Sequence, residues 1–205
     1  DAADVILLHK SLSVIIDGIE EGRRVFANII KYLRITLSSN FGNFYAIAIA
    51  SLFVPFLPML PSQVLLVNLL TDLPMVAIVA DSVRVLDLKK PSKYNARSII
   101  MFATALAIIS SLFDFSVFAI FKDNGEASLQ TLWFIESVLT EIVLIYSVRS
   151  LVPFYKGTRV PLSIILLSVA VCASVLILPF TDIGNSIFSF TQPTVIQLSI
   201  IIGIV

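Results

Sequence analysis

Carboxylate and amide side chains recur inside long apolar stretches of this 205-residue sequence. In "NLLTD", Asn68, Thr71 and Asp72 follow the three- and four-residue spacing that places side chains on one face of a helix. Asn40 and Asn43 share a helical face in "SSNFGN" for the same reason. Carboxylate and amide oxygens are the ligands that Mg²⁺ and Ca²⁺ prefer. The spacing therefore predicts a site for a hard cation.

Pro74 follows Asp72 closely and removes the amide that would bond the carbonyl of Leu70. We expect a helix break beside Asp72, which would free backbone carbonyls in the middle of a long apolar stretch. Transporters build ion sites from such broken helices. A kinked helix held by interhelical hydrogen bonds is the alternative.

Further carboxylates, Asp114, Glu136 and Glu141, interrupt later apolar stretches, with no Lys or Arg deep in any stretch to neutralise them. Ionisable residues in a membrane are costly and mark function. Glu136 and Glu141 lie about 140° apart around a helix, so only one can point squarely at a small site. We expect Glu141 to be the ligand and retain Asp114 and Glu136 as secondary candidates. Trp133 is predicted to be an interfacial anchor.

The composition is that of a membrane protein: 58% of residues are hydrophobic and 14% are charged. Soluble domains average about 45–50% apolar and about 25% charged residues, so a soluble or a disordered chain is excluded. The net charge is 0, which gives no indication of a nucleic-acid partner. Cys172 is the one cysteine, so no internal disulfide can form, and no zinc-site spacing is present.

The sequence predicts an all-α, polytopic membrane helix bundle of about six spans, embedded in a lipid bilayer. A membrane β-barrel would need alternating strands of about 10 residues, whereas these apolar runs are long and continuous. Thirteen of the 14 basic residues fall on one side of the predicted membrane, which predicts that both ends are cytoplasmic. The predicted spans are 36–57, 62–83, 98–121, 130–148, 160–180 and 191–205.

The ordered combination of "AADVILL", a charged amphipathic helix, "SSNFGN" and "NLLTD" before a proline resembles the C-terminal membrane half of a P-type cation-transporting ATPase. The resemblance implies that residues 1–12 are the tail of the cytoplasmic phosphorylation domain and that residues 13–35 are an amphipathic stalk helix. Residues 36–205 would be the transmembrane C-terminal domain, with spans equivalent to the fifth to tenth helices of a ten-helix pump.

In calcium pumps of this family, ligands come from "SSNxGE", from "NLxTD" and from a glutamate of the eighth helix. The ion-binding residues implied here are Asn40, Asn43, Asn68, Thr71, Asp72 and Glu141, with Asn40, Asn68 and Asp72 as metal ligands. Asn43 replaces the glutamate of calcium pumps, and "SSNFGN", "PFLPMLP" and "ISSLFDF" resemble magnesium-translocating relatives, although Thr71 and Glu141 are calcium-like. We expect Mg²⁺ rather than Ca²⁺, with H⁺ or a monovalent cation still open.

The family's phosphorylation motif "DKTG" and dephosphorylation motif "TGE" do not occur in this sequence. We therefore expect a fragment or a separately encoded half that has no catalytic residue of its own. The missing half would supply the first four helices and the cytoplasmic domains that bind ATP and Mg²⁺. The resemblance implies an alternating-access pump in the plasma membrane. The alternatives are a secondary cation or proton transporter, which would show two similar halves, and a non-transporting membrane fragment.

Overall fold

A computed structural model describes residues 11–84, 88–89, 93–149 and 158–205, and the regular elements in these ranges are helical throughout. The predicted all-α membrane bundle is confirmed. The predicted tail, residues 1–12, lies almost wholly outside the described residues.

Seven α-helices and two short 3₁₀ turns make up the described fold. They are α1 (Leu12–Ala50), α2 (Pro61–Val76) with a 3₁₀ turn (Ala77–Ala80), α3 (Ala96–Phe121), α4 (Glu126–Arg149), α5 (Leu162–Ile177) with a 3₁₀ turn (Leu178–Phe180), α6 (Asp182–Phe188) and α7 (Val195–Ile204). Within the described ranges, four segments are long and apolar enough to cross a membrane: Pro61–Ala80, Ala96–Phe121, Glu126–Arg149 and Leu162–Phe180.

The first and last predicted spans differ from these four. Helix α1 has 39 residues and a length of roughly 58 Å, but its charged first half and the polar "SSNFGN" segment lower its hydropathy. Helix α7 begins only at Val195, after the Thr194 cap, and has 10 residues. Its length of roughly 15 Å is about half the thickness of the hydrocarbon core. The prediction of six spans is therefore approximate.

Helix α4 forms the centre of the bundle and packs against α1, α2, α3, α5 and α7. Trp133 on this helix is completely buried, so its prediction as an interfacial anchor is wrong. Its Nε1–H donates to Asp114 Oδ1 at 2.6 Å, and its ring meets Phe118 edge-on at 4.7 Å between centroids. The reason is that neighbouring helices surround α4, so an aromatic residue on it fills the core.

Helix α1 packs closely against α3 because small residues meet at their interface. A Cβ atom on Gly42 would lie 3.4 Å from Ser110 Oγ, and Ala103 and Ala107 of α3 are buried. Small residues let membrane helices approach closely.

Helix α1 also packs against α2, which runs antiparallel to it. Asn28 in the first half of α1 donates to the backbone of Asp81 beyond the end of α2, whereas Thr36, farther along α1, contacts Met75 within α2. This arrangement brings "SSNFGN" of α1 beside "NLLTD" of α2.

Candidate cation site

A cavity of about 220 Å³ lies between α1 and α2. Its lining consists of Tyr32, Thr36, Ser39 and Asn40 from α1, and Asn68, Thr71, Asp72 and Met75 from α2. The structure thus brings together four of the residues predicted as ligands, including all three that were singled out as metal ligands. The lining carries one carboxylate, two amides and several hydroxyl groups.

Hydrogen bonds within the helices use up donor groups of this lining. Asn40 Nδ2 donates to the carbonyl of Thr36 at 2.9 Å, and Thr71 Oγ1 donates to the carbonyl of Val67 at 2.9 Å. Because these donors are used, the atoms that remain available to a ligand are acceptors: the Asn40 amide oxygen and the lone pairs of the Thr71 hydroxyl. The cavity therefore has the chemistry of an oxygen-donor site, which suits a cation.

One side of the cavity is open, since Asn40 and Asp72 are exposed in this chain. Asp72 lies well inside the apolar segment Pro61–Ala80. A carboxylate at such a depth is costly to expose to lipid and normally faces protein or a water-filled space. This side of α1 and α2 therefore calls for a protein or aqueous neighbour rather than acyl chains.

Asn43 and Glu141 lie beside the cavity and bind each other. Asn43 Nδ2 of α1 donates to Glu141 Oε1 of α4 at 2.7 Å. Ser39 and Thr71, which line the cavity, also interact with the Glu141 carboxyl group. Glu141 is buried, and within the described part of the chain its Oε2 atom has no hydrogen-bond partner. The Glu141 carboxyl group thus lies next to the residues that line the cavity, and among the described residues its Oε2 atom has a free hydrogen-bonding capacity.

The secondary candidates, Asp114 and Glu136, lie away from the cavity lining. Asp114 accepts the hydrogen bond of Trp133, and Glu136 Oε1 accepts one from Thr140 Oγ1 at 2.6 Å. The two carboxyl groups also interact with each other across α3 and α4. Glu136 and Glu141 therefore have different hydrogen-bond donors, Thr140 and Asn43, although their carboxyl groups are close enough to interact electrostatically.

The helix break predicted at Pro74 needs correction. Helix α2 continues through Pro74 to Val76, and the backbone changes to 3₁₀ geometry only from Ala77. Pro74 is buried, and neighbouring elements can stabilise a membrane helix that lacks one backbone hydrogen bond. The cavity at Asp72 is therefore formed by side chains of continuous helices rather than by an unwound segment.

Sequence reasoning missed the cavity residues Tyr32, Thr36 and Ser39 of α1. Their spacings of four and three residues place them on one helical face, and Asn40 continues that face from Thr36. The same periodicity that linked Asn40 to Asn43 could have found them. Their side chains carry neither a carboxylate nor an amide, the groups on which the predicted site was based.

The lining fits a cation that keeps part of its hydration shell. Within the described residues, no group of three or more His, Cys, Asp or Glu side chains could hold a metal. Mg²⁺ usually keeps several waters and uses one or two carboxylates.

The fold and the cavity define an integral membrane helix bundle with oxygen-bearing side chains gathered between its first two helices. The family model for "Cation transporting ATPase, C-terminus" matches residues 56–205. The chain belongs to this family and is similar to the C-terminal transmembrane region of P-type cation-transporting ATPases.

The relatives include pumps named for two different ions. The chain is 37% identical over 193 residues to magnesium-transporting ATPase, P-type 1, of Escherichia coli strain K12. This alignment covers 90% of this chain and 21% of that protein. The chain is 28% identical over 187 residues to a calcium-transporting ATPase of Bacillus subtilis strain 168, covering 87% of this chain and 21% of that protein. The chain therefore spans about a fifth of the length of these relatives. The predicted resemblance to P-type cation-transporting ATPases is confirmed.

Proposed function

We propose that this chain forms the cation-carrying membrane part of an ATP-driven P-type pump, with Mg²⁺ as the transported ion. The observation that carries the proposal is the cavity, where Asn40 of α1 meets Asn68, Thr71 and Asp72 of α2. Oxygen donors from two adjacent helices can change their separation when one helix moves. Such a site can bind a cation in one state of the pump and release it in another.

The donor set favours Mg²⁺ over Ca²⁺. Ca²⁺ takes six to eight direct oxygen ligands, whereas Mg²⁺ keeps several of its waters. Asp72 is the carboxylate of the cavity lining, and Asn43 donates to Glu141 instead of adding a second negative charge. The relative that is 37% identical is named as a magnesium transporter, which agrees with this choice.

The proposed cycle is alternating access driven from outside the described bundle. Phosphorylation of a cytoplasmic domain would move the stalk, residues 13–35, which is continuous with the cavity-lining part of α1. Asn40 would then shift relative to Asn68 and Asp72, which changes the affinity for the cation. Residues 36–205 would be the transporting domain, and residues 1–12 would belong to the phosphorylation domain.

The rest of the pump is the proposed partner of this chain. The first four helices would cover the exposed side of Asn40 and Asp72, and the cytoplasmic domains would bind ATP with its Mg²⁺. The distribution of basic residues supports a cytoplasmic location of both chain ends. We place the pump in the plasma membrane.

The experiment is ATP-driven transport by the full-length pump in proteoliposomes. Free Mg²⁺ is varied on each side in turn, with Mg²⁺-bound ATP saturating on the nucleotide side, and Ca²⁺ is tested in parallel. We expect Asp72→Asn to raise the half-saturating Mg²⁺ concentration by about tenfold or more, since each 1.4 kcal/mol of binding energy is tenfold in affinity.

Asp123→Asn is the matched control, because Asp123 is exposed in the turn after α3 and lies outside the cavity lining. It should transport as the unaltered pump does. An unchanged Mg²⁺ dependence in Asp72→Asn would contradict the assigned site. Absence of ATP-driven cation transport by the unaltered pump would contradict the proposed function.

A further inference from the structure

A buried ion network joins three helices at the end of the bundle opposite "PFLPMLP". Asp81 follows the 3₁₀ turn after α2, and its side chain is completely buried. Its Oδ2 atom lies 2.7 Å from Lys31 Nζ of α1, and its Oδ1 atom lies 2.8 Å from Arg149 Nη2 of α4. The Arg149 side chain is only 5% exposed. One carboxylate thus connects α1, the end of α2, and α4.

Hydrogen bonds from side chains of α1 to backbone carbonyls at the end of α2 strengthen the same connection. Asn28 Nδ2 of α1 donates to the carbonyl oxygens of Val79 and Asp81 at 3.0 and 2.8 Å. Lys31 Nζ also donates to the carbonyl of Ser82 at 3.2 Å. Asn28 and Lys31 lie on one face of α1 because three residues separate them. This face therefore holds both the side chain and the backbone at the end of α2.

The network lies on the same pair of helices as the cavity. Lys31 precedes Asn40 by nine residues on α1, and Asp81 follows Asp72 by nine residues on the antiparallel partner. These separations are equivalent to roughly 14 Å along the helix axes. A fixed contact at this distance sets the axial register of α2 against α1, and the register sets how far Asn40 lies from Asp72.

We propose that Asp81, with Lys31 and Arg149, is a positioning network for the cation site. It holds α2 in register with α1 and α4, and it keeps the two halves of the cavity at the separation that binds the ion. A buried ion pair is weak evidence for stability, because apolar residues can often replace it with little loss. The directional contacts of Asp81 are therefore better explained by a need for defined geometry between the helices. This inference rests on the proposed function of the cavity.

The test uses two variants that each remove one cation and leave Asp81 paired with the other. Lys31→Met breaks the link to α1, and Arg149→Met breaks the link to α4. Both keep an unbranched side chain, and neither leaves a buried charge without a partner. Asp81→Asn would leave two cations facing each other, so it is less suitable. Arg24→Met is the matched control, because Arg24 forms an exposed ion pair on the same helix.

We expect both variants to raise the half-saturating Mg²⁺ concentration for transport by the full-length pump by about fivefold or more, the lower end of typical coupling between sites. The maximal rate should stay within about twofold of the unaltered pump, since the ligands themselves remain, and Arg24→Met should change neither quantity. A loss of yield or thermal stability with an unchanged half-saturating concentration would assign the network a purely structural role and overturn the proposal.

A second readout needs no pump activity. Thr36→Cys and Met75→Cys introduce thiols at two cavity-lining side chains of α1 and α2, whose Oγ1 and Sδ atoms lie 3.8 Å apart. Cross-linking of these thiols in the membrane should fall when Lys31→Met is added. Equal cross-linking in both backgrounds would overturn the inference, whether or not the unaltered pump transports Mg²⁺.

Discussion

The hydrogen bond between Asn43 and Glu141 allows the stability of the bundle to be separated from its function. Asn43→Leu removes the amide donor and keeps a side chain of similar size. Glu141 is 3% exposed and its Oε2 atom is already without a hydrogen bond in the described part of the chain. A hydrogen bond to a charged group contributes about 1.5–3 kcal/mol. We therefore expect the free energy of unfolding to fall by about 2 kcal/mol.

The complementary variant, Glu141→Leu, leaves the Asn43 amide without its acceptor at 2.7 Å. An unsatisfied buried donor costs about 1–3 kcal/mol, so this variant should also be destabilised by about 2 kcal/mol. The double variant places two apolar side chains in contact between α1 and α4. Replacing both partners in this way is often close to neutral, so we expect it within about 1 kcal/mol of the unaltered protein.

The assay is unfolding in mixed micelles with increasing SDS, followed by circular dichroism, for the unaltered protein, both single variants and the double variant. The expected coupling energy is about 3 kcal/mol. Additivity of the single variants within about 0.5 kcal/mol would refute this account of the contact. The double variant should be folded but deficient in Mg²⁺ transport, because the carboxyl group behind Thr71 is gone. Transport with unaltered affinity would refute a role for Glu141 in the site.

Two further changes probe the packing of the bundle in the same SDS assay. Trp133→Phe keeps an aromatic ring but removes the donor to Asp114, so we expect the free energy of unfolding to fall by about 1.5–3 kcal/mol. The same substitution should cost less when Asp114 is already replaced by Asn, and an equal or larger cost there would contradict this account. Gly184→Ala should cost about 2 kcal/mol or more, because its Cβ would lie 2.0 Å from the carbonyl oxygen of Leu178. Gly18→Ala, where nothing lies within 4 Å, should instead stabilise α1 by about 0.5–1 kcal/mol, and equal effects at both glycines would refute the steric argument.

Much of the site on α2 could be predicted from the sequence. Asn68, Thr71 and Asp72 had to share a face, because the helical period places residues three and four apart side by side. Their position inside an apolar stretch marked them as functional, since polar groups are costly there. Apolar stretches of about 20 residues likewise identified the membrane helices, with the polar α1 and the short α7 at the margins of that criterion.

The partners of these side chains depended on tertiary structure. Asn43 and Asn40 share a face by periodicity, yet Asn40 lines the cavity whereas Asn43 binds Glu141, 98 residues away. Similarly, the sequence around Asp81 did not indicate that Lys31 of α1 and Arg149 of α4 pair with it.

The sequence by itself therefore determined the class of this protein, its membrane helices and the residues that we propose as cation ligands. Composition and helical period are local properties that can be read along the chain. Tertiary structure alone decided which carboxylates line the cavity, which are held by Trp133 or Asn43, and which is neutralised by Lys31 and Arg149. These contacts join residues that are far apart in the sequence, so they depend on how whole helices pack against one another and cannot be read from local spacing.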